Sequence, residues 1–163
     1  MANINILLVD DHDIVRDGIR MLLEDEVGFG IEAEAENGEE AIDACKEHDI
    51  DLIIMDISMP GMNGIEATEK IKESSPDIKV LALTMMDEDQ HIRQMIEAGA
   101  SGYILKSSDK IELVDAITTI LEGKHYFSND ATQSVMMDLV KGTDEKDETD
   151  PGNITDREKE VLE

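Results

Sequence analysis

A doubly wound parallel α/β sheet is the fold this sequence predicts, and three observations predict it. Apolar runs at 4–9, 52–55, 78–83 and 102–105 are as short as strands buried on both faces. Between them lie stretches whose apolar residues recur at helical spacing. Strand and helix patterns alternate five times with short connections, as parallel strands joined by helical crossovers do. This pattern spans residues 1 to about 123 of the 163.

Composition narrows the class. Hydrophobic residues make up 40% of the chain but aromatics only 2%, so the core must be aliphatic. No apolar run approaches a membrane span, and the N-terminus enters a strand pattern without a signal-peptide layout. The single Cys45 cannot pair internally, which fits a reducing, cytoplasmic setting; its apolar helical face suits packing better than reactivity. Forty acidic residues against 14 basic ones give a net charge of −26. Such a surface repels nucleic acid and favours cations or basic partners.

The elements follow in order. Ile4 to Val9 is the first strand, ending in Asp10-Asp11. From Asp13 the spacing of Ile14, Gly18 and Leu22, with Val15 and Ile19 beside them, predicts a helix that Gly28 and Gly30 end. Residues 31–36 alternate as a half-exposed strand does. Asn37-Gly38 turns into a helix with Ala41, Ala44 and Cys45 inward. The third strand ends at Asp56, before Met59-Pro60-Gly61 breaks it. Asn63 with Glu66 caps a helix lined by Ile65, Thr68 and Ile71, which Ser74-Ser75-Pro76 stops. The fourth strand, 78–83, leads to Thr84. A helix over 88–98 carries Ile92, Met95 and Ile96 inward and ends at Gly99. The fifth strand, 102–105, is followed at once by Lys106. Asp109 with Glu112 opens a helix with Ile111, Val114, Ile117 and Leu121 on one face.

The rest of the chain differs. Residues 124–141 carry an additional amphipathic helix, with Ala131, Val135, Met136, Leu139 and Val140 clustered. Residues 142–153 hold five acids, one Lys and no apolar side chain, and read as a flexible linker. Thr155 with Glu158 opens a helix of about two turns within 154–163. That is too short to be stable alone, and it reads as the truncated start of a second domain.

Chemistry gathers at one sheet edge. Asp10 and Asp11, Asp56, Thr84 and Lys106 each follow a strand, on the side where open α/β sheets keep their ligands. Each alone has an ordinary reading: a helix cap, a strand exit or a solvated charge. Together they place three carboxylates in one cleft, where they repel unless a cation intervenes. An all-oxygen set suits Mg2+ with a phosphoryl group beside it. A carboxylate can act as nucleophile and become an acyl phosphate, with Lys106 and Thr84 balancing charge on the transferring oxygens. His12 and Asp13 read as helix-start residues rather than ligands, and His48, His91 and His125 lack metal-ligand spacing.

Val9-Asp10-Asp11-His12, the run from Met55 through Asp56-Ile57-Ser58-Met59-Pro60-Gly61 to Gly64, Leu83-Thr84, and the run from Gly99 to Tyr103 and Lys106 together resemble the receiver domain of two-component response regulators. The resemblance covers residues 3 to about 122. It implies a flavodoxin/CheY-like, five-stranded (βα)5 receiver domain over 1–123. It makes Asp56 the phosphoacceptor, charged by a sensor histidine kinase. Asp10, Asp11 and Asp56 become Mg2+ ligands together with the Ser58 backbone carbonyl. Thr84 and Lys106 become the phosphate-sensing pair, and Tyr103 the aromatic switch. The Asp10-Asp11-His12 opening and the segments 99–103 and 124–128 are similar to NarL/LuxR-type regulators. The tail from Ile154 to Leu162 is similar to the opening of their helix-turn-helix domain.

This resemblance implies a transcription factor that homodimerises on phosphorylation. It would bind DNA through the full-length C-terminal domain, not this fragment. Two departures stand out. No Pro follows Lys106, so a cis peptide at Lys106-Ser107 is not to be assumed; Met85 and Met86 follow Thr84 where many receivers have small residues, and the bulk of Met85 would restrict the space into which Tyr103 turns. Two other readings compete: a stand-alone receiver acting by protein contact, and a Mg2+-dependent phosphotransferase with an Asp nucleophile. The latter typically carries Asp-x-Asp on its first strand, whereas Asp10 and Asp11 are adjacent.

Overall fold

A computed structural model describes residues 4–84 and 89–127 of the chain. In chain order the elements are β1 (Ile4–Val9), α1 (Asp13–Glu24), β2 (Phe29–Ala35), α2 (Gly38–Glu47), β3 (Leu52–Asp56) and α3 (Gly64–Ser74). They continue as β4 (Lys79–Thr84), α4 (Asp89–Ala98), β5 (Gly102–Leu105), α5 (Lys110–Leu121) and β6 (Tyr126–Phe127). All pairings are parallel, and the strand order is β2-β1-β3-β4-β5-β6. The chain moves outward from β1 to β2, then returns past it to β3. The topological switch point therefore lies between β1 and β3, which carry Asp10 and Asp56 at their carboxyl ends.

Strand alternation builds two cores. Leu7, Val9, Ile53, Met55, Val80, Ala82 and Tyr103 face one side, packed with α2, α3 and α4 through Ala41, Ala67, Ile71, Ile92 and Met95. Ile6, Leu8, Leu52, Ile54, Leu81, Leu83 and Ile104 face the other, against Leu23 of α1 and Leu113, Ile117 and Ile120 of α5. Every residue of β3 is buried, as a strand covered on both faces requires. Helix starts follow the capping expected of them. Asn63 and Asp109 accept the backbone N–H of Glu66 and Glu112 at 2.9 Å, and Asn37 does the same for Glu40.

Four expectations need correction. The sheet has six strands, not five: Tyr126–Phe127 adds to β5 beyond residue 123, too short a segment to show strand periodicity. Phe127 is buried, and Tyr126 donates through its hydroxyl to Glu112 on α5. Gly30 lies inside β2 rather than ending a helix. Ile14 and Ile111, placed inward by periodicity, are 85% and 80% exposed. The fourth strand starts at Lys79 rather than Ile78, and it ends at Thr84 as expected. No cis peptide occurs among the described residues, Lys106-Ser107 included. The expected helix after Phe127, the linker 142–153, the helix start at 154–163 and the bulk of Met85 and Met86 lie outside the described residues.

Candidate functional site

The sequence places its acids by strand parity. Ile6 and Leu8 share a face in β1, and the next position of that parity is Asp10; Leu52 and Ile54 lead likewise to Asp56, and Ile104 to Lys106. Thr84 has the opposite parity and follows Val80 and Ala82 on the side of Tyr103. The structure brings the first three into contact. The Lys106 ammonium lies 2.9 Å from Asp10 Oδ2 and 3.2 Å from Asp56 Oδ2, with all three side chains almost wholly buried. The strand pairing fixes this convergence further, since the Lys106 backbone N–H donates to the Thr84 carbonyl at 2.8 Å.

The site is short of hydrogen bonds. Asp10 Oδ2, Asp11 Oδ1 and Asp56 Oδ2 are buried and receive no aligned donor. Lys106 is near enough to Asp10 and Asp56 for charge attraction without satisfying either oxygen directionally. Burial, then the neighbouring Asp10 charge, push the Asp56 carboxyl up to about 6; Lys106 and the Ser58 N–H, 3.3 Å from Asp56 Oδ1, oppose that rise without cancelling it. Burial alone would lower the Lys106 ammonium, but Asp10 and Asp56 outweigh it and hold Lys106 above its ordinary value. Orphaned oxygens in an acid excess fit a hard cation with oxygen ligands. Asp10, Asp11, His12 and Asp56 each offer an atom within 4.8 Å of all the others.

The backbone after β3 closes tightly against Asp56. Gly61 adopts φ +72°, and Gly64 opens α3 while donating its N–H to the Ile57 carbonyl at 2.9 Å. A Cβ on Gly64 would collide with the Asp56 carbonyl oxygen, so only glycine lets the loop close this tightly. Tyr103 is fully buried, its ring 6.1 Å from that of Phe127 and tilted by 37°. It therefore sits inside the α4-side core rather than beside the carboxylates. Thr84 is buried at the end of β4.

Two residues near the site escaped sequence reasoning. His12 was read as a helix start and does stand at the N-cap of α1. Its Nδ1 also lies 2.9 Å from Asp10 Oδ1 and 3.2 Å from Asp11 Oδ1. Its adjacency to two acids was the available signal. Arg16 donates through Nη1 to the Asp10 carbonyl and through Nε to Glu34 Oε1 at 3.0 Å, tying the acidic loop to β2. Nothing in local spacing marks Arg16, because Glu34 is 18 residues away.

Comparison with known proteins places the chain in a family. The family described as response regulator receiver domain matches residues 6–118. The response regulator UvrY of Escherichia coli strain K12 is 38% identical over 159 residues, which are 98% of this chain and 72% of UvrY. GacA of Pseudomonas viridiflava is 40% identical over 134 residues, 82% of this chain and 63% of GacA. A two-component response regulator of the LuxR family from Aurantimonas sp. SI85-9A1 superposes with a TM-score of 0.77 at 41% identity, covering 85% of this chain and 99% of that one. A structure of Salmonella typhimurium RcsB, solved in a study of its conformational dynamism for DNA interaction, gives 0.74 at 27% identity over 87% of this chain and 69% of that one. The chain belongs to the response regulator receiver family, among two-component regulators of the LuxR type.

Proposed function

We propose that Asp56 is the phosphoacceptor and that a sensor histidine kinase is the donor. The observation that carries this reading is the pairing of Asp56 and Asp10 across one buried ammonium, Lys106, at the switch point of the sheet. In the transfer, an Asp56 carboxylate oxygen forms a bond to phosphorus. The donor's phosphorus–nitrogen bond breaks, and the leaving imidazole takes up a proton. Lys106 is placed to balance charge on the transferring oxygens, and Thr84, at the next strand end, to donate its hydroxyl to the product. Asp10, Asp11 and Asp56 with the Ser58 carbonyl are the residues that would hold Mg2+. Bound there, the ion would supply charge neutralisation and oxygen orientation.

The signal would leave through the opposite core. Thr84 and Tyr103 lie on one side of the sheet, and Tyr103 packs with Ile92, Met95 and Ile96 of α4 and with Phe127. Movement of Thr84 toward a phosphorylated Asp56 would change the space next to Tyr103 and bias α4 between two packings. The outcome would be homodimerisation and control of a C-terminal DNA-binding domain in the full-length cytoplasmic protein. The likeness to RcsB, studied for its interaction with DNA, supports the DNA-binding part of that outcome. Among the described residues no helix is long and apolar enough to cross a membrane. As a receiver the chain would catalyse only its own phosphoryl uptake and slow loss, not turnover of an external phosphate ester.

The test uses a small acyl phosphate donor. Wild-type chain is expected to gain one phosphoryl group only when Mg2+ is present, and Asp56→Asn to gain none. Uptake by Asp56→Asn at the wild-type rate would end this reading, and repeated turnover of a phosphate ester would favour the phosphotransferase alternative.

A further inference from the structure

His12 carries an inference that rests on the cation reading above and extends its donor set. Its Nδ1 lies 2.9 Å from Asp10 Oδ1 and 3.2 Å from Asp11 Oδ1, on the edge shared by two acids that a cation would bridge. Adjacent ligands of an octahedral ion with bonds of about 2.1 Å are about 3.0 Å apart, which matches both separations. His12, Asp10, Asp11 and Asp56 present one atom each within 4.8 Å of one another. Independently, Asp11 Oδ1 is buried without a hydrogen bond on the side facing His12, whereas Asp10 Oδ2 and Asp56 Oδ2 lie beside the Lys106 ammonium.

The imidazole is also held in place. The His12 backbone N–H donates to Asp10 Oδ1 at 2.8 Å, so the residue is tied to the acid whose ring contact it makes. The ring is more than half exposed, so a proton carried on Nε2 can be solvated while Nδ1 offers its lone pair inward. Imidazole nitrogen is a softer donor than carboxylate or water and suits first-row transition ions better than Mg2+.

We propose that His12 Nδ1 is a protein ligand of the cation bound by Asp10, Asp11 and Asp56, and that it tilts the site from Mg2+ toward Mn2+. The competing account of the same distances is a hydrogen bond from Nδ1–H to Asp10, with the ring outside the coordination sphere.

Pulsed electron paramagnetic resonance on the full chain loaded with Mn2+ alone separates the two. A nitrogen modulation is expected that changes when histidine is 15N-labelled and disappears in both His12→Phe and His12→Gln. Mn2+ affinity should fall roughly tenfold in each variant, and Mg2+ affinity by less. Mn2+ bound without a histidine-nitrogen modulation overturns the proposal, as does a modulation that survives in both variants. The labelling comparison uses the unaltered chain, so it does not depend on either variant folding. Asp11→Asn separates the two layers of the reading. Weaker Mn2+ binding in that variant with no nitrogen modulation in the wild type overturns only the role of His12. Binding indifferent to Asp11→Asn overturns the carboxylate site and His12 with it.

Discussion

Two buried carboxylates share one buried ammonium at the sheet edge, and that imbalance has measurable consequences at single residues. Asp56 moves from an ordinary value of 3.8 to about 6 on folding. Between those values the folded chain holds a proton that the unfolded chain has released. Stability from this group is therefore fully present below about pH 4 and lost as pH rises through about 6. Neutralising the acid removes that loss and leaves Lys106 paired with Asp10. Asp56→Asn should stabilise the chain by roughly 1–3 kcal/mol at pH 7 without divalent ions, and by almost nothing at pH 4. Urea unfolding at the two pH values reads the difference directly. Removing the cation instead leaves both acids uncompensated, so Lys106→Met should cost roughly 3 kcal/mol at pH 7 in the same assay. Cys45 shifts in the same direction, since burial alone pushes its thiol up to about 11, in keeping with a packing role.

At the scale of elements, the strands and caps were legible and the ends were not. β3 announced itself through four apolar residues before an acid, and Asn63 and Asp109 through their partners three residues on. Periodicity assigned Ile14 and Ile111 to the core, yet both are exposed. A period gives the apolar stripe but not its width, and these two stand outside the part that α1 and α5 bury. β6 was hidden because two residues cannot show alternation; its pairing with Gly102 and Tyr103 is a tertiary fact. Gly102 is part of that fact, since a Cβ there would strike the Tyr126 carbonyl. The sheet thus extends to Phe127, which shares the core of Tyr103, and a folded unit that includes this strand is the expectation. Phe127→Ala should destabilise the chain by about 3 kcal/mol, and ending the chain after Gly123 by more. Thermal melts in which ending after Gly123 costs nothing would restore the shorter boundary. The convergence of Asp10, Asp56 and Lys106 was readable from strand ends, whereas the reach of His12 and Arg16 depends on loop geometry that spacing does not encode.

For the whole molecule, charge dominates. A net charge of −26 on 163 residues means that folding gathers like charges as well as apolar groups. Arg16 and Arg20 relieve this locally by bridging α1 to Glu34 of β2. Most of the excess has no such partner in sequence, since 40 acids face 14 bases. Raising KCl from 0.05 to about 1 M shortens the screening length from above 10 Å to about 3 Å. The melting temperature should therefore rise with KCl by several degrees, as scanning calorimetry would show; a fall would mean that attractive pairs outweigh the repulsion. The same charge leaves these 163 residues unsuited to DNA, whose phosphates call for clustered Lys and Arg.

Asp56, at the end of β3, is proposed above as a covalent phosphoryl acceptor. Peptide-level mass spectrometry after treatment with a small acyl phosphate and Mg2+, with the acyl phosphate trapped by reduction, tests it most directly. The modification is predicted on the peptide containing Asp56, at that residue alone, and absent when Mg2+ is chelated. Modification at Asp10 or Asp11 instead, or at Asp56 without any divalent ion, would rule out Asp56 as a metal-dependent acceptor.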